Sequence, residues 1–103
     1  TYSGPLYRES EKEGDRLRLS FDYVDGGLVT CNGMELRGFT ICGSNKEFQP
    51  AKAKIEKGTV VVWNHKIEEP IAVRYAWENF PDGNLCNQAG LPASPFRTDD
   101  FPR

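Results

Sequence analysis

The sequence predicts an all-β protein: an antiparallel β-sandwich of the jelly-roll or immunoglobulin-like kind, with little or no helix. Apolar and polar residues alternate with a period of two in several short segments, which is typical of half-buried strands. Turn residues recur about every ten positions, which indicates six or seven short strands. The length of 103 residues suits one core, so residues 1–103 are predicted to form a single domain.

The segment RLRLSFDYV (residues 16–24) shows the alternation most clearly. Its apolar positions are Leu17, Leu19, Phe21 and Tyr23, and its polar positions are Arg16, Arg18, Ser20 and Asp22. This pattern predicts a strand with one buried face. Farther along, the pair Asn32-Gly33 separates the runs LVTC and MELRGFTIC. Because Asn and Gly tolerate positive φ, the pair predicts a hairpin between these two runs.

Later segments complete the set of predicted strands. AKAKIEKG (residues 51–58) alternates. Ala, Lys and Glu also favour helix, but the short length and Gly58 favour a strand paired with TVVVWN (residues 59–64). Residues 60–63 are apolar on both faces, which indicates a central or covered strand. In IAVRYAWEN (residues 71–79) the predicted inward set is Ile71, Val73, Tyr75 and Trp77.

Charge and hydropathy exclude two classes of partner. The formal net charge is −2 and no run of Lys and Arg forms a basic tract, so nucleic acid is not an expected partner. The longest apolar run, VVVW at residues 60–63, is far too short to span a bilayer. No membrane segment is therefore expected.

The three cysteines, Cys31, Cys42 and Cys86, show no CxxC or Cys/His spacing. An odd number without metal-ligand spacing favours three buried thiols over a disulfide framework or a zinc site. A Cys31–Cys42 disulfide stays open, because a hairpin would bring these residues close and sequence alone does not decide the pairing.

Side chains that could carry out acyl transfer are few. Ser44, in CGSNKEF, lies outside the GxSxG and SxxK motifs and is interpreted as a turn serine. His65, the single histidine, follows a strong strand in WNHKIEEP and is interpreted as an exposed loop residue rather than a general base. Neither a metal-binding pattern nor a phosphate-binding glycine loop occurs in the sequence. We therefore expect no catalytic set, no metal and no cofactor.

The segment NLCNQAGLPASPFRTDD (residues 84–100) is dense in polar groups and has no clear period. We expect its amides, arginine and acids to form a hydrogen-bonded network with Arg74, because buried polar groups must be paired. Trp63 is a separate candidate, since it is either core, covered by a neighbouring domain, or free to stack on a sugar. The predicted binding or domain-interface residues are Trp63, Arg74, Asn79, Asn84, Asn87, Arg97, Asp99 and Asp100.

Six motifs together resemble the C-terminal region of the sialate O-acetylesterase family. They are SGPLY (3–7), LRLSFDYVDGGL (17–28), LRGFTICG (36–43), FQPAKAKI (48–55), TVVVW (59–63) and AVRYAWENFPDGNLCNQAGLPASPFRTDDFP (72–102). The resemblance covers essentially the whole chain, and the last motif is the longest and most specific. Cys42 and Cys86 stand where the family often has alanine and an aromatic residue, which favours packing roles for both thiols.

The resemblance implies that the chain is a C-terminal fragment of a larger esterase, which is secreted, periplasmic or lysosomal and removes O-acetyl groups from sialic acids or related glycans. The opening TYSGPLY is likewise typical of a cut inside a longer protein. The family's catalytic domain is of the SGNH type, and its serine and histidine blocks precede the matching region. Gly43-Ser44-Asn45 resembles the serine block but lacks its glutamine, so no catalytic role passes to Ser44 or His65.

Two kinds of partner are therefore expected. The first is the catalytic domain of the same parent chain, which this domain would pack against and stabilise. The alternative is a glycan, bound by the domain acting as a carbohydrate-binding module.

Overall fold

A computed structural model describes residues 4–22, 27–31, 33, 35–76, 83–88 and 90–99. Within these residues the chain forms strands and turns, without helix, so no helix there could cross a membrane. The strands are β1 (Leu6–Glu13), β2 (Arg16–Asp22), β3 (Leu28–Thr30), β4 (Phe39–Cys42), β5 (Gln49–Pro50), β6 (Lys52–Glu56), β7 (Thr59–Trp63), β8 (Ala72–Tyr75), β9 (Leu85–Asn87) and β10 (Phe96–Arg97).

All strand pairs are antiparallel. The first sheet has four strands in the order β1-β2-β7-β6, and the second has four in the order β10-β8-β4-β5. β3 and β9 form a separate two-stranded sheet. The predicted all-β sandwich is confirmed. More strands are present than the sequence indicates, because β1 is a charged edge strand (LYRESEKE) without apolar alternation, and β5 and β10 have two residues each.

The first sheet confirms the predictions made for its strands. Leu17 and Leu19 of β2 lie opposite Val62 and Val60 of β7, and all four side chains are buried. β6 pairs with β7 as predicted. β7 is central, and Val61, which faces away from the core, is buried as well. The run of apolar residues on both faces of β7 thus reflects a strand covered on both sides.

Aromatic rings join the two four-stranded sheets across the core. Phe96 of β10 lies at the centre of the cluster, stacked on Tyr7 of β1 at a centroid distance of 5.0 Å and on Tyr75 of β8 at 5.5 Å. Phe21 meets the same ring edge-on at 5.5 Å, and Phe39 lies 4.7 Å from Tyr75. Offset and edge-on arrangements of this kind add to the free energy of burying the rings.

The second sheet is buried on both faces along β4. Phe39 and Ile41 face the core, whereas Thr40 and Cys42 face outward and are still buried. On β8, Val73 and Tyr75 are buried as predicted, but Ile71 is 49% exposed, so its predicted inward position is wrong. Ile71 precedes β8 and joins the sheet only at its end, where its N–H donates to the Cys42 carbonyl. Trp77 and Tyr23 lie outside the described residues.

The predicted hairpin at Asn32-Gly33 is wrong. β3, which precedes this pair, lies against β9, and β4, which follows it, lies against β8. The chain does bend here, since Gly33 has a left-handed φ of 72°, but it passes from one sheet to another. An Asn-Gly pair indicates a bend in the backbone. Which strands then pair depends on which apolar faces meet. Asn32 itself lies outside the described residues.

The cysteines also differ from the expectation. Cys31 and Cys86 form a disulfide, with Cα atoms 5.2 Å apart, and Cys42 is a buried free thiol. The favoured expectation of three buried thiols is therefore wrong for Cys31 and Cys86 and right for Cys42, and the Cys31–Cys42 alternative and the packing role of Cys86 are wrong as well. The reason lies in the pairing of β3 with β9, which places Val29 opposite Cys86 and brings the N–H of Cys31 to the Asn84 carbonyl at 2.8 Å.

Candidate functional site

An arginine–aspartate pair lies on the outer face of the second sheet. Nε and Nη2 of Arg74 donate to the two carboxylate oxygens of Asp99 at 3.1 and 2.9 Å. The Asp99 side chain is only 1% exposed, and Nη1 of Arg97 lies 3.8 Å from it. The Arg74 guanidinium also lies 4.0 Å above the centroid of the Phe48 ring. Two-point hydrogen bonding and burial make this a strongly oriented ion pair.

The segment that carries Asp99 is tied to β8 by backbone and side-chain bonds. The Thr98 N–H donates to the Val73 carbonyl at 2.9 Å, and the Val73 N–H donates to Thr98 Oγ1 at 3.0 Å. Residues 96–97 pair with β8 directly before this point. The end of the described chain therefore lies along β8 and holds the Asp99 carboxylate at Arg74.

The thiol of Cys42 lies near this ion pair. Burial raises the pKa of Cys42, and the negative charge of Asp99 raises it further, whereas Arg74 opposes the shift. A thiol with a raised pKa stays protonated near neutral pH and is a poor nucleophile. The cluster of Arg74, Asp99 and Cys42 thus has the chemistry of a structural network rather than of a reactive centre.

Two buried asparagines organise the loops around β9. Asn84 accepts a hydrogen bond from the Arg37 N–H at 2.8 Å and donates one to the Glu35 carbonyl at 2.9 Å. Asn87, fully buried, accepts one from the Leu91 N–H at 3.1 Å. Both amides therefore bind backbone groups that lie in loops rather than in strands. These bonds hold the backbone at residues 35–37 and at Leu91 in one geometry.

Tyr75 links the aromatic core to the same loop. Its hydroxyl oxygen accepts a hydrogen bond from the Leu85 N–H at 2.8 Å, and burial raises the pKa of this phenol. Gly83 passes so close that a Cβ there would lie 2.4 Å from the Tyr75 hydroxyl oxygen. A Cβ on Gly38, where φ is 99°, would lie 2.4 Å from the Gly83 Cα. This close packing depends on both glycines.

The predicted site residues therefore fall in three places. Arg74, Arg97 and Asp99 come together on the second sheet, and this part of the expected network is present. Asn84 and Asn87 lie at β9 and bind loop backbone. Trp63 lies on the first sheet. Asn79 and Asp100 lie outside the described residues.

Trp63 is partly exposed at the end of β7, between cations on both neighbouring strands. Arg16 of β2 lies opposite it on one side, with its guanidinium carbon 4.7 Å from the ring centroid, and Lys52 of β6 lies opposite it on the other. A cleft of about 220 Å³ opens here. Its lining residues are Pro50, Ala51, Lys52, Trp63, Asn64 and His65.

A second cleft of about 370 Å³ shares Ala51 and Lys52 with the first and extends to Glu35, Leu36 and Arg37. Sequence reasoning missed Arg16 and Lys52 as neighbours of Trp63. The alternation in RLRL and AKAK marks both as outward-facing. Only the strand register shows that they flank the tryptophan, because register is decided by pairing and not by the pattern of one strand.

The residues considered for catalysis lie in exposed loops. Ser44 is in a turn and lines a cleft of about 240 Å³ with Lys66, Glu68 and Glu69 among its neighbours. His65 is exposed and lines the Trp63 cleft instead. Among the described residues, no group of three or more His, Cys, Asp or Glu side chains is arranged to hold a metal ion.

Comparison with known proteins finds similarity among solved structures. No protein-family model matches the chain, and no curated protein matches it. Among solved structures, it is similar to a carbohydrate acetylesterase from Xanthomonas citri, with a TM-score of 0.89 and 39% sequence identity over 97% of this chain. The chain spans only 23% of the length of that protein. It therefore resembles one portion of a carbohydrate acetylesterase, and the sialate specificity inferred from the motifs stays a prediction.

Proposed function

We propose that this chain is a non-catalytic β-sandwich domain of a carbohydrate esterase, which packs against an SGNH-type catalytic domain of the same parent chain and stabilises it. The observation that carries the proposal is the 39% identity over nearly the whole chain to less than a quarter of a carbohydrate acetylesterase. The remaining length of such a protein is ample for a separate catalytic domain.

The chemistry of the polar groups supports a structural role. Asp99 is buried and engaged by Arg74, and the Cys42 thiol is held protonated by burial. The amides of Asn84 and Asn87 are used to hold loop backbone. A rigid loop fixed by such bonds is suited to presenting one constant surface to a partner domain.

The finer identity of the parent is also part of the proposal. Its acetyl esters lie on sialic acids or related glycans, as the motif in residues 72–102 suggests, and the position in the parent is C-terminal. The parent is exported to an oxidising compartment. The Cys31–Cys86 disulfide supports export, because disulfides persist in secreted, periplasmic and lysosomal proteins and are rare in the cytosol.

A domain exchange tests the packing role. The portion of the Xanthomonas citri enzyme that matches this chain is deleted, or replaced by this chain, and Tm and turnover of p-nitrophenyl acetate are measured for both proteins. We expect deletion to lower Tm and replacement to restore most of the loss. A hybrid that is no more stable than the deletion would contradict the packing role.

An assay of the isolated chain tests the absence of catalysis. We expect turnover of p-nitrophenyl acetate at the buffer rate, and a hybrid enzyme with Ser44→Ala that keeps full activity. Turnover by the isolated chain that is lost on Ser44→Ala would refute the proposal. The sialate assignment is tested on the full-length parent enzyme of this chain. Its turnover of O-acetylated sialosides is compared with its turnover of acetylated xylan.

A second candidate function is glycan binding. The observation that favours it is the Trp63 cleft, which is lined by an aromatic side chain, the Asn64 amide and the cationic Lys52. Clefts with an apolar wall and a few placed polar groups are the usual form of small-ligand sites.

A further inference from the structure

We propose that the cleft beside Trp63 binds a carboxylate-bearing sugar, with the indole against the sugar ring and the Lys52 ammonium beside the carboxylate. The inference deepens the second candidate function, since it gives a glycan-binding domain its site and the charge of its ligand. Its support comes from strand register, charge and loop geometry.

The register places the two cations symmetrically. Arg16, Trp63 and Lys52 form one row across β2, β7 and β6, because Trp63 is the direct partner of both other residues. In antiparallel sheets directly opposed side chains share a face and lie close together. The row therefore presents cation, indole and cation side by side on the outer face of the first sheet.

The next row on the same face also has an arginine and a lysine at its ends, but it has valine in place of the indole and a different charge balance. Arg18 and Lys54 flank Val61. Arg18 is neutralised by Glu13 and Glu56 at 2.8 and 3.1 Å, and Lys54 by Glu56 at 3.1 Å.

The Trp63 row lacks comparable neutralisation. The carboxylate paired with Arg16 is that of Asp15, at 3.9 Å, and the two side chains are 43% and 70% exposed. Lys52 takes part in none of the ion pairs found within the described part of the chain. Glu35 lies in the adjoining cleft together with Arg37. The cleft itself has Lys52 in its wall and no carboxylate among its lining residues, so it offers a cationic group that an anionic ligand can neutralise.

The far wall of the cleft is rigid. Asn64 Nδ2 donates to the Pro50 carbonyl at 2.8 Å, and Asn64 Oδ1 accepts from the Lys66 N–H at 2.8 Å. The Ile67 N–H donates to the Asn64 carbonyl at 2.9 Å and closes the turn that carries His65. A site whose walls are held before binding loses less entropy when the ligand arrives.

Size and composition favour a sugar over a protein partner. The volume of about 220 Å³ is below the range of roughly 300–1,000 Å³ for drug-sized ligands, which suits one sugar ring. The adjoining cleft offers room for a second ring. The cores of protein interfaces are depleted of lysine, whereas Lys52 lies at the centre of this groove. Arginine and lysine are the usual partners of carboxylates.

The test is an NMR and calorimetric titration of the full 103-residue chain with matched charged and neutral sugars. One pair is sialyllactose and lactose, and the other is digalacturonate and xylobiose, so the two pairs distinguish a sialic acid from a uronic acid as the source of the carboxylate. We expect the Trp63 indole signal to shift with at least one acidic sugar, and binding at least about tenfold weaker for its neutral counterpart.

Two lysine variants give the matched control. Lys52→Gln should weaken binding of the acidic sugar about tenfold, the equivalent of one charge-assisted hydrogen bond. Lys54→Gln, two residues along the same face, should leave binding unchanged, because Lys54 is already neutralised by Glu56. Equal losses from both variants, equal binding of charged and neutral sugars, or no shift at Trp63 with any of the four sugars would each overturn the proposal.

The result is separable from the packing role. If the isolated chain binds no sugar but Trp63→Ala lowers the Tm of the hybrid esterase, the Trp63 surface contacts the catalytic domain, so the sugar site is refuted and the packing role is upheld. If the acidic sugar binds and the hybrid is no more stable than the deletion variant, the sugar site is upheld and the packing role is refuted.

Discussion

The two four-stranded sheets each have an arginine–carboxylate cluster on the outer face, but the clusters differ in burial and in origin. In the first sheet, Arg18 binds Glu13 and Glu56, whose side chains are 42% and 38% exposed. In the second, Arg74 binds Asp99, whose side chain is 1% exposed. Arg18 and Glu13 are 5 residues apart in a hairpin, whereas Arg74 and Asp99 are 25 residues apart.

The difference teaches how each half of the molecule is held. β1 with β2 and β6 with β7 are neighbours in sequence, so the first sheet is built from hairpins and its polar cluster is an addition at the surface. The second sheet and the β3–β9 pair join distant segments, and they depend on long-range links: a disulfide, an ion pair with a buried carboxylate, and two buried asparagines. Exposed pairs contribute little to stability, whereas breaking a buried pair leaves an uncompensated charge.

Loss of the disulfide should have the largest effect. Replacing Cys31 and Cys86 together by alanine reopens a loop of sequence separation 55, which should lower the free energy of unfolding by about 4 kcal/mol. Urea unfolding at neutral pH measures the change. The wild-type chain in a thiol reductant should then match the double variant. An unchanged midpoint in both cases would show that the β3–β9 pair holds without the bond.

Removal of the buried carboxylate should come next. Asp99→Asn leaves the Arg74 charge partly buried without its partner, so the free energy of unfolding should fall by about 3 kcal/mol. The matched control is Glu13→Gln in the exposed cluster, where Arg18 keeps Glu56 as a partner and the loss should be much smaller. Comparable losses from the two variants would mean that burial does not distinguish the clusters.

The same contrast applies to amide side chains. Asn84→Ala removes the partners of the Arg37 N–H and the Glu35 carbonyl, and should lower the free energy of unfolding by about 2 kcal/mol. Asn45→Ala is the control, because Asn45 accepts a hydrogen bond from the Glu47 N–H in an exposed turn. There we expect a change within about 0.5 kcal/mol. Chemical denaturation of both variants in parallel provides the measurement.

The smallest effect should be a pH dependence from the first sheet. Hydrogen bonds from Arg18 lower the pKa of Glu13 and of Glu56 below the usual 4.5. Their contribution to stability is therefore present above pH 4.5 and is lost as the pH falls through the lowered pKa values. Arg18→Gln should thus lower the urea midpoint at about pH 7 and have less effect at about pH 3.

Arg8→Gln serves as the reference for this prediction, since its two carboxylate partners lie farther away, at 3.5 and 3.9 Å. Its urea midpoint should shift little at either pH. A loss for Arg18→Gln that is the same at both pH values would assign the effect of Arg18 to packing over Val61 rather than to charge.

The strands of the first sheet were predictable because they form local hairpins. For the same reason this sheet depends less on links between distant residues. The alternation around Leu17 and Leu19, and the apolar run of β7, are signals within single segments. Each strand forms a hairpin with its neighbour in sequence, β1 with β2 and β6 with β7, and only the pairing of β2 with β7 joins distant segments. Ser44 and His65 were predictable as loop residues because no catalytic motif surrounds them. The charged edge strand β1 was missed because all of its residues but Tyr7 are exposed, so the strand carries no apolar period.

The site residues were predictable only in part. Arg74 lies between apolar neighbours on a predicted strand and Asp99 lies in the polar segment 84–100, and a hydrogen-bonded network between them follows from the need to satisfy buried polar groups. Nothing in the local pattern marks Cys31 as the partner of Cys86, or Arg16 and Lys52 as neighbours of Trp63. These relations depend on which strands pair, and a pairing error such as the one at Asn32-Gly33 propagates to each of them.

By itself the sequence determined the fold class, the inward face of β2, the pairing of β6 with β7, and the absence of a recognisable catalytic motif, because each of these is set by residue type and spacing along one segment or two adjacent ones. The tertiary structure alone decided the disulfide, the burial of Asp99 and the cation–indole–cation row at Trp63. Those features join residues far apart in the chain, and their distances are fixed only when the apolar faces of separate strands have closed on one core.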